Sequence, residues 1–324
     1  MKTKEINLTD IKGIRIGHAQ DLSAATGCTV LLAEEGATAG VDVRGGAPGT
    51  KDTDLLDPVN LVDKIHAVLL TGGSAFGLDA TSGVMQYLEA HGVGFDTTVA
   101  NVPIVCGAVL FDLAIGDPLV RPDKKMGYQA CANAQGLTLS EGNVGAGAGA
   151  TVGKILGMER AMKSGFGAYA VQAGELKIGA LVAVNCLGDV IDPATGEVLA
   201  GVLAEDGNRI LNTEEIMIQN IASAQHIGFS SNTTLGIVAT NVILTKSQAT
   251  KVASMAHNGY ARTIRPAHTM VDGDTIFTIS TGQIPADISV VGMLAARVVE
   301  QAVLRAVRQA GPLLGFKCSK DLTP

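Results

Sequence analysis

The sequence predicts an α/β protein of the α+β kind, with helices laid over mainly antiparallel sheets. Three observations lead there. Hydrophobic residues make up 47% of the 324 residues and charged residues only 17%, enough apolar surface for an extensive core. Short apolar runs closed by Gly, Asn or Asp read as strands. Strands and helices then mix without a strict βαβ rhythm, which argues against a dinucleotide-binding parallel sheet.

In chain order, Ile14-Arg15-Ile16-Gly17-His18 is the first clear strand. Gly27–Ala33 is a stronger one, closed by Glu34-Glu35-Gly36, and Ala37–Arg44 follows. The intervening glycine turn predicts an antiparallel pair. Gly45-Gly46-Ala47-Pro48-Gly49-Thr50 is a loop. Ala67–Thr71 is a short strand running into Gly72-Gly73-Ser74 and then a helix through Leu78, Ala80, Val84 and Leu88. Such a turn aims backbone N–H groups at an anion or oxyanion, or simply packs helix on sheet. Val102–Leu113 is apolar, and residues 141–154 are glycine-dense. Leu176–Val184 is a strong strand ending at Asn185. Ala204–Gln225 reads as an exposed linker. Beyond it lie a helix over Ser247–Arg262, a half-buried strand over Thr275–Ser280 and a long helix over Ile288–Ala310.

The net charge of −7 is spread without a basic run, so nucleic acid and anionic membranes are poor partners. No apolar signal core opens the chain and no span is apolar for the roughly 18 residues a membrane helix needs, so a cytoplasmic protein is expected. Cys28, Cys106, Cys131, Cys186 and Cys318 are scattered and form no CxxC pair. They read as buried free thiols, and neither a metal nor a cofactor is expected. Two motifs fail on inspection. The stretch Gly147–Lys154 lacks the first glycine of a phosphate loop, and Ile155 follows its lysine. Gly145–Ala150 matches GxGxxA, but no apolar strand leads into it.

Ser231-Asn232-Thr233-Thr234 runs directly into the apolar strand Leu235–Thr240. A hydroxyl residue at the head of such a strand, behind a small or amide residue, is how self-cleaving hydrolases begin their nucleophile-bearing subunit. The plain alternative is a turn before a buried strand. Cleavage before Thr233 would free an α-amine beside its own Oγ. That amine, with a pKa of ~7.7–8.0, can take the hydroxyl proton at neutral pH. Lys154, ending the glycine-dense loop, can supply a nearby cation. Asn185, at a strand end, can donate to an oxyanion. Asp272-Gly273-Asp274 offers two carboxylates for orientation, or a hairpin turn.

Together these residues resemble the self-processing aminopeptidase family typified by the L-aminopeptidase/D-amidase-esterase DmpA. That family includes β-aminopeptidases and 6-aminohexanoate-oligomer (nylon) hydrolases. The resemblance covers nearly the whole chain. It rests on Arg44–Thr50, Thr71–Leu78, Gly142–Gly147, Asn232-Thr233-Thr234, Arg265-Pro266-Ala267-His268-Thr269 and Asp272-Gly273-Asp274-Thr275. It implies a four-layer αββα sandwich and a single domain, 1–324, cut between Asn232 and Thr233 into 1–232 and 233–324. It implies catalytic roles for Thr233, Lys154, Asn185, Asp272 and Asp274, a homotetramer, and a small peptide or amide substrate. Asn-Thr at the cut and Asp-Gly-Asp side with the nylon-hydrolase branch. Phe111 stands where some members carry a tyrosine, and Cys106-Gly107 where Pro-Ala is usual. Phe111 and the Gly72-Gly73-Ser74 turn are the expected substrate-binding elements. His268 reads as a structural hydrogen-bonder. Acyl transfer of the ornithine-acetyltransferase type, and a non-catalytic binding protein of the same fold, are the alternatives.

Overall fold

A computed structural model describes residues 3–135, 139–223 and 232–322. Ser231 and the end of the expected linker, 224–225, lie outside the described residues. Ten strands form one connected ladder. They are β1 (Lys4–Ile6), β2 (Arg15–Asp21), β3 (Thr26–Val43), β4 (Thr50–Lys51), β5 (Ile65–Thr71), β6 (Val105–Val109), β7 (Phe166–Ala173), β8 (Leu176–Ala183), β9 (Leu235–Val242) and β10 (Thr275–Ile284). The helices among the described residues are α1 (Ala80–Ala90), α2 (Lys124–Ala132), α3 (Thr213–Ser223), α4 (Lys246–Thr263) and α5 (Ile288–Gln309). The order across the ladder is β1-β7-β8-β9-β10-β3-β5-β6-β4, with β2 also paired to β3. Only β9–β10 and β5–β6 run parallel within it.

β3 departs from the expected hairpin. Glu34-Glu35-Gly36 makes no turn, and Thr26–Val43 is one strand. Its first half pairs with β2 and β5; the register then shifts between Leu32 and Ala37, and Thr38–Val43 pairs with β10. The irregularity absorbs the three residues and bends the strand. One strand therefore belongs to two facing sheets.

Period-two alternation along the strands separates three apolar layers. Between the sheets, Leu31, Val68 and Leu70 meet Leu181, Ile237 and Phe277. On the outer face of one sheet, Val30, Leu32 and Leu69 receive Val84 and Leu88 of α1 and Cys131 of α2. On the outer face of the other, Ile178, Ala180 and Val238 receive Val252 and Ala256 of α4 and Val299 and Val303 of α5. The result is the four-layer αββα sandwich, with mixed but mainly antiparallel sheets.

Local chemistry fixes the helices. α4 starts at a reciprocal capping box. Thr245 Oγ1 accepts from Gln248 N at 3.3 Å, and Gln248 Oε1 accepts from Thr245 N at 2.9 Å. α5 starts at Asp287, whose Oδ1 accepts from Ser289 N and Val290 N. The helix expected after Gly73 begins later, because Ser74–Asp79 forms a 3₁₀ turn first. The expected linker is a second departure. It contains α3, whose first residue Thr213 is buried and donates both its N–H and its hydroxyl to Asp189, each at 2.7 Å. Among the described residues no helix is long and apolar enough to cross a membrane.

Parallel strands need a crossover, and α4 supplies it between β9 and β10. Both strands therefore begin at the same end of the sheet. β8 runs antiparallel to β9, with Ala183 opposite Leu235, so β8 finishes at that end too.

Candidate active site

The heads of β9 and β10 and the tail of β8 bring the expected residues together. Thr233 precedes β9, Asp272-Gly273-Asp274 precedes β10, and Asn185 follows β8. The parallel ladder extends back to pair Asn232 with Asp272. Asp272-Gly273 is thus extended chain and not a hairpin turn.

Thr233 is 3% exposed. Its N–H donates to Asn185 O at 2.9 Å, and the preceding carbonyl, Asn232 O, accepts from Gly273 N at 3.0 Å. The peptide bond before Thr233 is therefore strapped on both sides. Its hydroxyl donates to Asn232 O. Gly273 lies opposite, and a Cβ there would stand 2.5 Å from Thr233 Oγ1 and 2.7 Å from Ala47 O. Only glycine leaves room for that hydroxyl.

Asn185 is fully buried and each of its side-chain polar atoms is engaged. Oδ1 accepts from Thr151 N at 3.0 Å and Lys154 Nζ at 2.9 Å. Nδ2 donates to Phe111 O at 3.0 Å. These donors on Oδ1, joined by the Thr151 hydroxyl at 3.5 Å, fix which way the amide faces, and one Nδ2 proton remains for a further acceptor. Lys154 Nζ also donates to Asn185 O at 3.0 Å, the same oxygen that holds Thr233 N. Burial pulls the Lys154 ammonium down to about 8.

The two carboxylates diverge. Asp272 Oδ1 accepts from Leu187 N at 3.2 Å, while Oδ2 accepts from the N–H and hydroxyl of Thr269. Asp274 Oδ1 accepts from Thr234 N at 2.7 Å, and Oδ2 accepts from the N–H and ring of His268. Burial, then the neighbouring Asp274, push Asp272 above the usual carboxylate range. Neither carboxylate hydrogen-bonds Lys154, whose acceptors are both on Asn185.

The Gly72-Gly73-Ser74 turn differs from expectation in one respect: its anion is part of the protein. Gly73 N donates to Asp112 Oδ1 at 2.7 Å, and Ser74 N donates to Leu110 O at 3.0 Å. A Cβ on Gly72 would stand 1.9 Å from Asp112 Oδ2. That turn therefore grips Asp112, the neighbour of Phe111, whose carbonyl steadies Asn185.

Asp112 and Lys163 do not stand out in the sequence. Lys163 is fully buried, and its Nζ donates to Gly147 O at 3.0 Å, Ala150 O at 3.1 Å and Ser164 O. It clamps the glycine-dense loop just before Thr151 and Lys154. Three carbonyls offset the cost of burying the amine, and burial still pulls it down to about 7. A lone carboxylate inside an apolar run, and a lysine three residues before a strand, are the available signals.

Burial pushes Asp112 up to about 6. A carboxyl raised in the folded state holds its proton there after the unfolded chain has lost it. Its contribution is full below the ordinary value near ~3.9 and is lost as pH rises through about 6. The stability of the wild type relative to Asp112→Asn should therefore fall, on the order of 3 kcal/mol, between pH 4 and pH 6. Denaturant unfolding of both proteins across that range, each carrying Thr233→Ala so that the chain stays in one piece, checks the sign, and a difference that rises with pH contradicts it.

The chain is a hydrolase of amide bonds. It belongs to peptidase family S58, whose model matches residues 7–320. It is 42% identical to an uncharacterized aminopeptidase of Mycobacterium tuberculosis, covering 98% of each chain. It is 30% identical to the 6-aminohexanoate-oligomer endohydrolase of a Kocuria species, covering 92% of this chain and 85% of the relative. In structure it is similar to the L-aminopeptidase D-Ala-esterase/amidase of Ochrobactrum anthropi, described as a variant of the Ntn hydrolase fold. The TM-score there is 0.71 at 18% identity, over 95% of this chain and 87% of that one. A Burkholderia β-aminopeptidase gives 0.68 at 20% identity, over 98% and 92%.

Proposed function

We propose that the chain cuts its own Asn232–Thr233 bond and that the freed Thr233 then hydrolyses small amides. The observation that carries this reading is the position of Thr233 N, 2.9 Å from the same Asn185 oxygen that receives the Lys154 ammonium. In the first step Thr233 Oγ attacks the Asn232 carbonyl carbon. The Gly273 N–H, already on that oxygen, receives the oxyanion. The C–N bond breaks as the proton lost by the Thr233 hydroxyl passes to the Thr233 nitrogen, and water hydrolyses the resulting ester.

In the second step the freed amine is the base. Lys154 lies beside it as a cation and keeps it unprotonated. The amine takes the Thr233 hydroxyl proton, and Oγ attacks the substrate carbonyl. The remaining Asn185 Nδ2 proton meets the oxyanion. The substrate C–N bond breaks and its nitrogen takes the proton, leaving an acyl-enzyme that water resolves. Asp272 and Asp274 orient the β10 head against Thr233. Phe111 and the Gly72–Ser74 turn form the wall beside Asn185. The cycle calls for no metal or cofactor.

The relatives named aminopeptidase and 6-aminohexanoate-oligomer endohydrolase support short peptides, amino-acid amides or ω-amino-acid oligomers as substrates. The reading extends to one domain of two interlocked fragments, working as a cytoplasmic homotetramer. Five free, buried cysteines suit a reducing compartment, and exposed Val59, Leu61, Val99 and Leu119 offer apolar surface for subunit contacts. Denaturing electrophoresis with N-terminal sequencing tests the cut. The small fragment should begin Thr-Thr-Leu-Gly-Ile. An intact chain that still hydrolyses amino-acyl anilides would overturn the mechanism.

A further inference from the structure

His268 takes no part in either bond cleavage, yet it touches the nucleophile's surroundings through one carboxylate. Its backbone has φ +59°, a left-handed conformation that few residues other than glycine adopt. Its N–H and its ring Nδ1 both meet Asp274 Oδ2, at 3.0 and 2.8 Å. Thr234 N meets the other oxygen at 2.7 Å. Three N–H groups converge on a carboxylate that only accepts, which assigns the ring proton to Nδ1. Among the described residues Nε2 has no partner, so the ring's single polar contact is Asp274. The ring also cannot swing freely. It meets the ring of His257 edge-on, with centroids 4.8 Å apart and planes at 74°. His257 is itself buried in α4 and tied through Nε2 to Asp42 O at 3.0 Å.

We propose that His268 is a positioning residue for Thr233. Its ring holds Asp274, Asp274 holds the Thr234 N–H, and that N–H belongs to the peptide immediately following the nucleophile. Without the ring, Oδ2 keeps one donor and the carboxylate can rotate off Thr234. The head of β9 then loses the contact that aims the Thr233 hydroxyl. A displacement of about 1 Å at a reacting group costs on the order of 10²-fold in rate. The inference rests on the reading of Thr233 as nucleophile.

The test compares His268→Asn, His268→Gln and His268→Ala in the full-length protein. It reads the rate of fragment formation, and kcat and KM on an amino-acyl anilide. Asparagine places an amide N–H where Nδ1 stands and tolerates positive φ. Glutamine is nearer the imidazole in bulk but carries its amide where Nε2 stands. Positioning predicts that Asn restores kcat to within about threefold of wild type. Gln and Ala should lose about ten- to hundredfold in kcat with KM little changed, from the loss of one hydrogen bond to a charged group. If the Ala protein fails to fold, the Asn–Gln comparison carries the result. Gln matching or exceeding Asn, or losses that only track the folded fraction, overturns the proposal. Thr233→Ala run alongside separates the two claims. Turnover surviving in that variant sinks the nucleophile reading itself, whereas a dead Thr233→Ala with unimpaired Gln and Ala variants at 268 sinks only the role of His268.

Discussion

Thr233→Ala should yield one uncut chain with turnover reduced by about 10⁴-fold or more, because in the proposed mechanism a single hydroxyl serves both reactions. Alanine removes the atom that attacks Asn232 and the atom that later attacks substrate. Its backbone N–H still donates to Asn185 O, and β9 still starts at Leu235, so the fold is expected to survive. Gel analysis should show a single full-length band, and circular dichroism should match that of wild type. Thr233→Ser separates the two roles of the side chain. It keeps the hydroxyl beside Asn232 O and Gly273 N and loses only the methyl group, so it should still be cut and still turn over amide. Two fragments from Thr233→Ala would move the cut site elsewhere.

Asn185→Ala is the second large effect, a fall of about 10²–10³-fold in kcat with KM nearly unchanged. The hydrogen bonds around the amide give the reason. Oδ1 is fully used by Thr151 N and Lys154 Nζ, and Nδ2 spends one proton on Phe111 O. The other proton is the only side-chain donor Asn185 can offer a developing charge. Alanine deletes it and also strips one acceptor from buried Lys154. Asn185→Asp tells the two losses apart. It keeps an acceptor for Lys154 and restores no donor, so it should be as slow as alanine. An aspartate variant much faster than alanine would place the importance of Asn185 in holding Lys154.

The catalytic candidates are legible in the sequence because each ends an element. Asn185 closes a run of apolar strand residues, Thr233 opens one, and Lys154 ends a glycine-dense loop. Such breaks in pattern survive in a linear sequence. The αββα layering is legible only through resemblance, since β3 reads locally as two strands. Whether Glu34-Glu35-Gly36 turns or bulges is decided by what lies beyond it, here β10. Asp112, Lys163 and Gly273 stay hidden for a related reason. Each acts on a partner far away in sequence, as Asp112 does on Gly73 and Lys163 on Gly147. The Asp-Gly-Asp stretch looks like a hairpin for want of its true neighbour, the Asn232–Thr233 segment about 40 positions earlier along a parallel register. His268 reads in sequence as a structural hydrogen-bonder, and its bond to Asp274 agrees with that as far as it goes.

The order of strands has a consequence for the life of the molecule. β9 and β10 both come from residues 233–324, and they lie between β8 and β3, which come from residues 1–232. A cut at Asn232–Thr233 therefore releases nothing, because the smaller piece is stitched into the middle of the larger. The folding problem nevertheless changes. The uncut chain finds its partner strands within one molecule, at a rate independent of concentration. Once cut and unfolded, the halves must meet again by diffusion, and reassembly competes with aggregation. The proposed cut would so convert a protein that can refold into one that persists only as long as it never fully opens. The durability of the cut form would be set by the height of the unfolding barrier and not by an equilibrium.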